Sequence, residues 1–249
     1  RSQLNAHYGD EVVPLDGPLP VHLMGNMWGQ SWSNIYDLVY PEASQTKSVN
    51  VTQIIEERNI NEIEMVEYAE DFFLSIGFEP LPDTFWERSL FVKPQDRSVV
   101  CHASAWNLDS ANNDLRIKMC IEKNEEDFIT IHHELGHIFY YQAYNHLPTL
   151  FQGGANDGFH EAFGDLLTLS ITPDYLNRIG FISEGEAELA KNDSIGLLMK
   201  QALEGVVVIP WALMLDKWRA GVFKGEIGRD ELNQAWWNMR ESYQGIAPP

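Results

Sequence analysis

Two histidines flank a glutamate in the sequence His133-Glu134-Leu135-Gly136-His137. On a helix, residues i and i+4 share one face, so both imidazoles can reach one metal ion. Zinc takes neutral imidazole nitrogens at tetrahedral spacing, and a hydrolytic site leaves one position open for water. Glu134 directly follows the first histidine and is placed to accept the proton of that water as it attacks a carbonyl. The motif predicts His133 and His137 as zinc ligands and Glu134 as the general base.

The residues around this motif decide between a metal site and two surface histidines on an amphipathic helix. Its neighbours are mostly apolar: Phe128, Ile129, Ile131, Leu135, Ile138 and Phe139. A helix with such flanks is buried on most sides, and buried histidines need partners. The flanking sequence therefore favours the metal site.

A zinc site of this class needs a third protein ligand. The next acidic residue on a predicted helix is Glu161, 24 residues after His137. Asp165 lies four residues further along the same face, where it can accept the second ring N–H of a ligating histidine. Taken alone, Asp165 fits an ordinary surface acid equally well.

Two further histidines, His132 and His160, each stand one residue before a predicted ligand. A helix rotates by about 100° per residue, so neither points where its neighbour points. We expect them to pack or to contact ligands rather than to bind the metal.

The elements that must position these residues are mainly helical. Asn124 can cap the helix of the motif, which has three acidic residues in its first turn and runs to about Tyr144. A glycine-rich loop, residues 153–158, precedes the helix of Glu161. The predicted helices cover residues 61–76, 124–144, 159–169, 194–203, 211–222 and 229–243. Two short strands, residues 98–106 and 116–121, flank a polar turn at 109–114 and predict a hairpin.

Composition limits the classes of partner. The chain of 249 residues carries a formal net charge of −20, which fits a solvated acidic surface and argues against nucleic-acid binding. We expect no transmembrane segment, because the longest apolar stretch, residues 206–215, is interrupted by Pro210. The chain opens on Arg1 and ends on Pro249, and we expect it to be part of a longer protein.

Two features point to the secretory pathway. Asn50 and Asn192 each begin a glycosylation sequon, although such triplets are common by chance. In an oxidising compartment Cys101 and Cys120 would form a disulfide that closes the predicted hairpin. The alternative is two free buried thiols in a cytosolic protein.

Four segments together resemble the angiotensin-converting enzyme family of zinc peptidyl-dipeptidases. They are residues 133–137, residues 153–165 (GGANDGFHEAFGD), residues 101–106 (CHASAW) and residues 25–37 (GNMWGQSWSNIYD). The similarity extends over nearly the whole chain. It implies that residues 1–249 are the central part of a single peptidase catalytic domain, truncated at both ends. The implied fold is a mainly α, multi-helix zincin with a small β element and a downstream Glu ligand.

The resemblance also implies roles for individual residues. His133, His137 and Glu161 would bind Zn²⁺, Glu134 would act as general base and then acid, and Asp165 would support a ligand. Cys101 and Cys120 match a family disulfide, although the stretch between them looks one residue longer here. The substrate-binding strand corresponds to His102, Ala103 and Ala105, which fits pairing of an extended peptide with exposed main chain. Without the resemblance, His102 is a strand histidine with no role.

Gln30 bears on the type of cleavage. The resemblance implies that dipeptide-releasing members carry a glutamine here that helps to bind the C-terminal carboxylate of the substrate. The carboxypeptidase branch carries an arginine, which shortens the pocket. Gln30 therefore favours release of two residues at a time from oligopeptides with a free C-terminus.

Further residues that the family uses lie beyond Pro249, among them its carboxylate-binding, oxyanion-stabilising and chloride-binding side chains. We therefore expect this chain to be inactive alone, and chloride to be a second cofactor of the full-length protein. The expected location is extracellular, as a secreted protein or the ectodomain of a membrane-anchored one. Two alternatives stay open: a zinc carboxypeptidase that releases single residues, and a non-catalytic receptor, although receptors of this kind typically lose zinc ligands.

Overall fold

A computed structural model describes residues 1–26, 28–40, 49–192 and 194–248, without the side chains of Asp157 and Ser194. In chain order its α-helices are α1 (Ser2–Tyr8), α2 (Tyr36–Val39), α3 (Val51–Glu57), α4 (Glu62–Ser75), α5 (Asp83–Arg88), α6 (Glu125–Tyr144), α7 (Asp157–Thr168), α8 (Pro173–Arg178), α9 (Glu184–Asn192), α10 (Ser194–Gln201), α11 (Val207–Lys224) and α12 (Leu232–Gln244). The strands are β1 (Leu19–Pro20), β2 (Ser104–Asp109), β3 (Asp114–Lys118) and β4 (Ile246–Ala247). The prediction of a mainly α fold with a small β element is confirmed.

The chain forms two compact units, one of Val49–Glu188 and one of Arg1–Ser48 with Leu189–Pro249. The first contains α3 to α8 and the β2–β3 hairpin around a large apolar core. Its fully buried side chains include Ile55, Met65, Phe73, Phe85, Leu115, Ile117, Phe128, Ile131, Leu135 and Phe139. The candidate metal ligands all belong to this unit. That residues 1–249 are part of one catalytic domain concerns the longer protein and stays a prediction.

Helix α6 forms where the sequence predicts it. The Asn124 side chain accepts a hydrogen bond from the Asp127 backbone N–H and so satisfies one free donor of the first turn. Three acidic residues in that turn complement the positive end of the helix dipole. Phe128, Leu135 and Phe139 are fully buried, which holds the helix in the core.

The hairpin differs from its prediction at both ends. β2 begins at Ser104, so Cys101, His102 and Ala103 precede the strand, and only Ala105 lies in it. β3 spans Asp114–Lys118 and pairs antiparallel with β2. The predicted extension to residue 121 is wrong because the next residues pair elsewhere. The backbone N–H groups of Met119 and Ile121 donate to the Leu90 and Phe91 carbonyls.

The other unit has its own, smaller core of Leu4, Val13, Leu19, Val21, Met24, Ile35, Leu203 and Ile246. In it β1 and β4 pair in parallel, with Leu19 opposite Ile246. A loop that includes Gln30 is built around Asn26, whose side chain donates to the Ser31 carbonyl and accepts from the Gly29 N–H. Of the segment 25–37, residue 27 lies outside the described part of the chain.

The end of the chain forms a longer helical run than predicted. α10 and α11 are joined by a π-helical turn, Ala202–Val206, and α11 begins before Pro210 rather than after it. Proline lacks an N–H and crowds the carbonyl four residues earlier, and the wide π turn at that position accommodates it. The expectation that Pro210 interrupts the apolar stretch is therefore wrong.

One helical run among the described residues meets the length and composition of a membrane span. Residues Ile195–Lys224 contain an apolar window of mean hydropathy 1.4, of which 11% is buried. The expectation of no transmembrane segment rested on an interruption at Pro210, and that reason does not hold. Core helices of soluble proteins meet the same criterion, so the run is weak evidence for a membrane.

Candidate metal centre

Helices α6 and α7 pack closely against each other and carry the predicted ligands. The contact is possible because each helix has a glycine at the crossing. A Cβ atom on Gly136 would lie 2.9 Å from the Gly164 Cα, and a Cβ atom on Gly164 would lie 2.8 Å from the His133 Nδ1. Any larger side chain at either position would push the helices apart or displace the His133 ring.

Helix α7 begins two residues earlier than predicted, at Asp157. The Asn156 side chain caps it by accepting from the Gly158 N–H. The cap fixes the start of the helix, and Glu161 and Asp165 then follow at a spacing of one turn on the same face.

Three side chains converge between the two helices. The Nε2 atoms of His133 and His137 are 3.1 Å apart. Glu161 places Oε2 3.4 Å from the His133 Nε2 and Oε1 3.8 Å from the His137 Nε2. Ligands about 2.0–2.2 Å from a tetrahedral zinc ion lie roughly 3.3–3.6 Å from one another. The three residues therefore fit a zinc ion, and their chemistry of two imidazoles and one carboxylate is that of a catalytic zinc site.

The second nitrogen of each histidine has a partner of its own. The His133 Nδ1 lies 3.0 Å from an Asp165 carboxylate oxygen. The His137 Nδ1 lies 3.3 Å from the Nδ1 of His160. Both rings are thereby held with Nε2 toward the shared point, the orientation that a metal ligand requires.

The two ligand histidines differ in electrostatic environment. The hydrogen bond that His133 donates to Asp165 raises the pKa of His133, with smaller contributions from Glu134 and Glu161. Burial lowers the pKa of His137, and the neighbouring His133 lowers it further. His137 is therefore the easier of the two to hold neutral, as metal binding requires.

Glu134 is buried, with a relative exposure of 6%. Burial is the main cause that raises its pKa, and the charge of Glu161 adds to it, whereas His133 and His102 lower it. Its Oε2 has no hydrogen-bond partner in the part of the chain that the structure describes. A carboxylate with a raised pKa and a free oxygen in a metal site is suited to proton transfer.

His132 takes no part in the metal centre. It is fully buried, its Nδ1 contacts the Phe128 carbonyl at 2.8 Å, and its Nε2 contacts the Tyr175 hydroxyl at 2.9 Å. Burial lowers its pKa to about 4, so it is neutral at physiological pH. The expectation that His132 packs rather than ligates agrees with these contacts.

Of the residues before β2, His102 lies close enough to Glu134 to influence its pKa. Cys101 and Cys120 form a disulfide with their Cα atoms 5.1 Å apart. His102 is exposed, its Nδ1 contacts the Ala103 carbonyl at 2.8 Å, and its charge acts on Glu134. Among the described residues β2 pairs only with β3, so one edge of β2 has no strand partner there.

Gln30, Asn50 and Asn192 complete the set of predicted residues. Gln30 belongs to the other unit, where its Oε1 is buried without a hydrogen-bond partner among the described residues. Asn50 is exposed and its side chain caps α3 by accepting from the Gln53 N–H. Asn192 is exposed at the end of α9, and the next residue of its sequon lies outside the described part of the chain.

Sequence reasoning did not single out Gly136, Gly164 or Arg240. The glycines had a signal, since each lies inside a helix within three residues of a predicted ligand, where glycine costs stability. Arg240 had none, because an arginine in an amphipathic helix is ordinary. In the structure it is 1% exposed, its guanidinium lies 5.7 Å from the Trp236 ring, and its Nε and Nη1 have no partner among the described residues.

Comparison with known proteins adds to this geometry. The Peptidase_M2 family model, described as angiotensin-converting enzyme, matches residues 1–249. The chain is 47% identical to angiotensin-converting enzyme of Bos taurus over 251 residues and 44% identical to that of Haematobia irritans exigua over 255. It is 41% identical to the angiotensin-converting enzyme-related protein of Drosophila melanogaster over 250 residues. The whole chain is covered in each case, but it spans 19%, 40% and 39% of these relatives.

Proposed function

This chain belongs to the angiotensin-converting enzyme family, and on that basis we propose that it is part of a zinc peptidyl-dipeptidase, which releases dipeptides from the C-terminus of oligopeptides. The observation that carries the proposal is the convergence of His133, His137 and Glu161, with Glu134 buried beside them. The names of the relatives do not favour the carboxypeptidase or the receptor alternative.

His133, His137 and Glu161 would hold the zinc ion. When bound, zinc lowers the pKa of a water molecule and polarises the scissile carbonyl. Glu134 would take a proton from the attacking water and deliver it to the leaving amine, and its raised pKa matches both transfers. Asp165 would hold the His133 ring in the tautomer that presents Nε2.

The substrate would bind as an extended strand. The open edge of β2 offers main-chain groups at Ala105, and His102 and Ala103 lead into it beside Glu134. Gln30 supports release of two residues, because the resemblance implies a glutamine at this position in the members that release dipeptides. We infer that Gln30 donates its amide N–H to the C-terminal carboxylate of the substrate.

A chloride ion in the full-length protein is the second cofactor that we propose. Arg240 supports an anion site, because burial lowers its pKa to about 10 and two of its nitrogens lack a partner among the described residues. A small anion beside the guanidinium would accept from one of these N–H groups. Chloride titration of peptidase activity would then show weaker activation in Arg240→Gln than in the parent, whereas an identical titration would contradict the site.

We also propose an extracellular location, as a secreted protein or as an ectodomain. The disulfide supports an oxidising compartment. Glycosylation at Asn50 and Asn192 would agree with it, and both side chains belong to exposed residues.

The experiment is product analysis with the full-length protein. An oligopeptide with a free C-terminus is incubated with the parent and with Glu134→Gln, and the products are weighed by mass spectrometry. We expect dipeptides from the parent and a rate about 10²–10⁴-fold lower from the variant. The same peptide with an amidated C-terminus is the control and should be cleaved more slowly. Single residues as the main product would contradict the release of dipeptides. If a zinc-loaded parent gave no product, the assignment as a peptidase would be wrong.

A further inference from the structure

The Nδ1 atom of His137, which faces away from the metal position, contacts another histidine rather than a carboxylate. His133 and His137 both turn Nε2 toward the metal position, which leaves their Nδ1 atoms to be held from behind. For His133 the holder is the Asp165 carboxylate at 3.0 Å. For His137 it is the neighbouring imidazole of His160, with the two Nδ1 atoms 3.3 Å apart.

The His160 ring is itself held from the other side. Its Nε2 lies 3.0 Å from the Tyr144 hydroxyl. The rings of Tyr140 and Tyr141 pack against it with centroids 4.5 and 4.8 Å away. A Cβ atom on Gly154 would lie 2.9 Å from the His160 ring, so the loop also closes over it. The ring therefore has little freedom to turn away from His137.

The hydrogen positions follow from metal binding. A histidine that binds zinc through Nε2 carries its proton on Nδ1 and must donate there. The Nδ1 of His160 must then accept, which places the proton of a neutral His160 on Nε2, directed at the Tyr144 oxygen. The result is a directional chain from His137 through His160 to Tyr144.

We propose that His160 is a positioning residue for the zinc ligand His137, as the neutral hydrogen-bond acceptor that fixes its ring and tautomer. The inference rests on the proposed zinc site. A neutral acceptor has a physical reason here, because the ligand Glu161 and the neighbouring Glu134 and Asp165 already place three carboxylates at this centre. A further carboxylate behind His137 would add repulsion among them.

Two substitutions separate this role from simple packing. In His160→Asn the side-chain amide oxygen can occupy the position of Nδ1 and keep the acceptor for His137. In His160→Gln the amide reaches the position of Nε2, which keeps the Tyr144 contact and loses the acceptor. The two side chains are similar in polarity and size, so a packing role predicts similar losses from both.

The test is the rate of zinc release from the zinc-loaded full-length protein into an excess of chelator. We expect His160→Gln to release zinc about 10–100-fold faster than the parent, and His160→Asn to remain close to the parent. The visible spectrum of the Co²⁺-substituted forms should change in His160→Gln and be restored in His160→Asn. Thermal melting of the metal-free forms checks that both variants fold.

The other possible outcomes bear either on the acceptor role of His160 or on the proposed function. Equal release from both variants, whether fast or slow, would overturn the acceptor role, and so would unchanged Co²⁺ spectra in folded variants. A parent that holds no zinc at this site would instead overturn the proposed function. If His160→Gln does not fold, Tyr144→Phe takes its place, because it removes only the hydroxyl that orients His160. Faster release from Tyr144→Phe supports the chain, and an unchanged rate overturns it.

Discussion

Gly136 and Gly164 meet at the crossing of α6 and α7, where a Cβ atom on Gly136 would lie 2.9 Å from the Gly164 Cα. The same approach brings the Gly164 backbone against the His133 ring. Because neither glycine has a side chain, the two helices can approach this closely. That approach sets the distance from the two histidines to Glu161.

A methyl group at residue 164 should therefore damage the metal centre. Gly164→Ala would place its Cβ 2.8–2.9 Å from the His133 ring, so the ring or the helix must move. We expect a loss of about 1–3 kcal/mol in the free energy of unfolding and weaker zinc binding, measured by melting and by competition with a chelator. Gly185→Ala is the matched control, because a Cβ there meets nothing within 4 Å and a helical alanine stabilises by about 0.5–1 kcal/mol. Zinc affinity unchanged in Gly164→Ala would contradict the role of this contact.

Gln30 should determine how many residues are released. Gln30→Arg introduces a fixed positive charge on a longer arm, which can pair with a carboxylate held closer to the zinc. We expect a lower kcat/KM for dipeptide release, because the pairing positions the scissile bond. Gln30→Met, neutral and of similar length, is the control for size alone. Mass spectrometry of products from one peptide compares the forms, and dipeptide release at an unchanged kcat/KM in Gln30→Arg would remove Gln30 from carboxylate recognition.

The disulfide should stabilise the segment that leads into β2. Cys101 and Cys120 are separated by 19 residues, and closing a loop of this length contributes about 3 kcal/mol through the unfolded chain. The double variant Cys101→Ser/Cys120→Ser should unfold at a correspondingly lower denaturant concentration. The parent under reducing conditions should behave like the variant. A parent whose midpoint is insensitive to reduction would contradict the contribution of the bridge.

Asp114 should make the stability of the unit that contains the β2–β3 hairpin, Val49–Glu188, depend on pH. Its carboxylate pairs with Arg88 at 2.9 Å and Arg116 at 2.7 Å, and the hydrogen bond from Arg116 is the main cause that lowers its pKa below the ordinary 3.8. The folded form therefore binds this proton less readily than the unfolded form, so the stabilisation is complete above the unfolded pKa. It is lost as the pH falls through the lower, folded pKa.

The measurement is the Tm of Asp114→Asn against the parent from pH 7 down into the acid range. We expect a lower Tm for the variant at pH 7 and a difference that shrinks below about pH 4. Asp96→Asn is the control, because the side chains of the Asp96–Arg97 pair are 74% and 59% exposed and such pairs contribute little. A difference between Asp114→Asn and parent that is constant with pH would show that its charge is not the cause.

The features that were predictable from the sequence are local ones. The Asn124 cap, the acidic first turn and the apolar flanks specify α6 without reference to the rest of the chain. The start of β2 was not predictable, because it depends on Met119 and Ile121 pairing with residues 90–91 rather than with their own hairpin. The start of α11 before Pro210 was not predictable either, because it depends on a π turn for which the sequence shows no pattern.

The candidate site also has some features that were predictable from the sequence and others that were not. The HExxH spacing and one further glutamate predict which residues converge, since helix geometry alone puts His133 and His137 on one face. Which ligand His160 contacts was not predictable, because that depends on the rotation of α7 against α6. That rotation follows from the contact of Gly136 with Gly164, which joins residues far apart in the chain.

The zinc content of the full-length protein tests the central claim most directly. Two glutamates of the site are compared by elemental analysis at a metal concentration that saturates the parent. The structure predicts that Glu134→Gln retains zinc, because Glu134 is not among the converging ligands, and that Glu161→Ala loses it. Full zinc occupancy in Glu161→Ala would contradict the assignment of the metal centre.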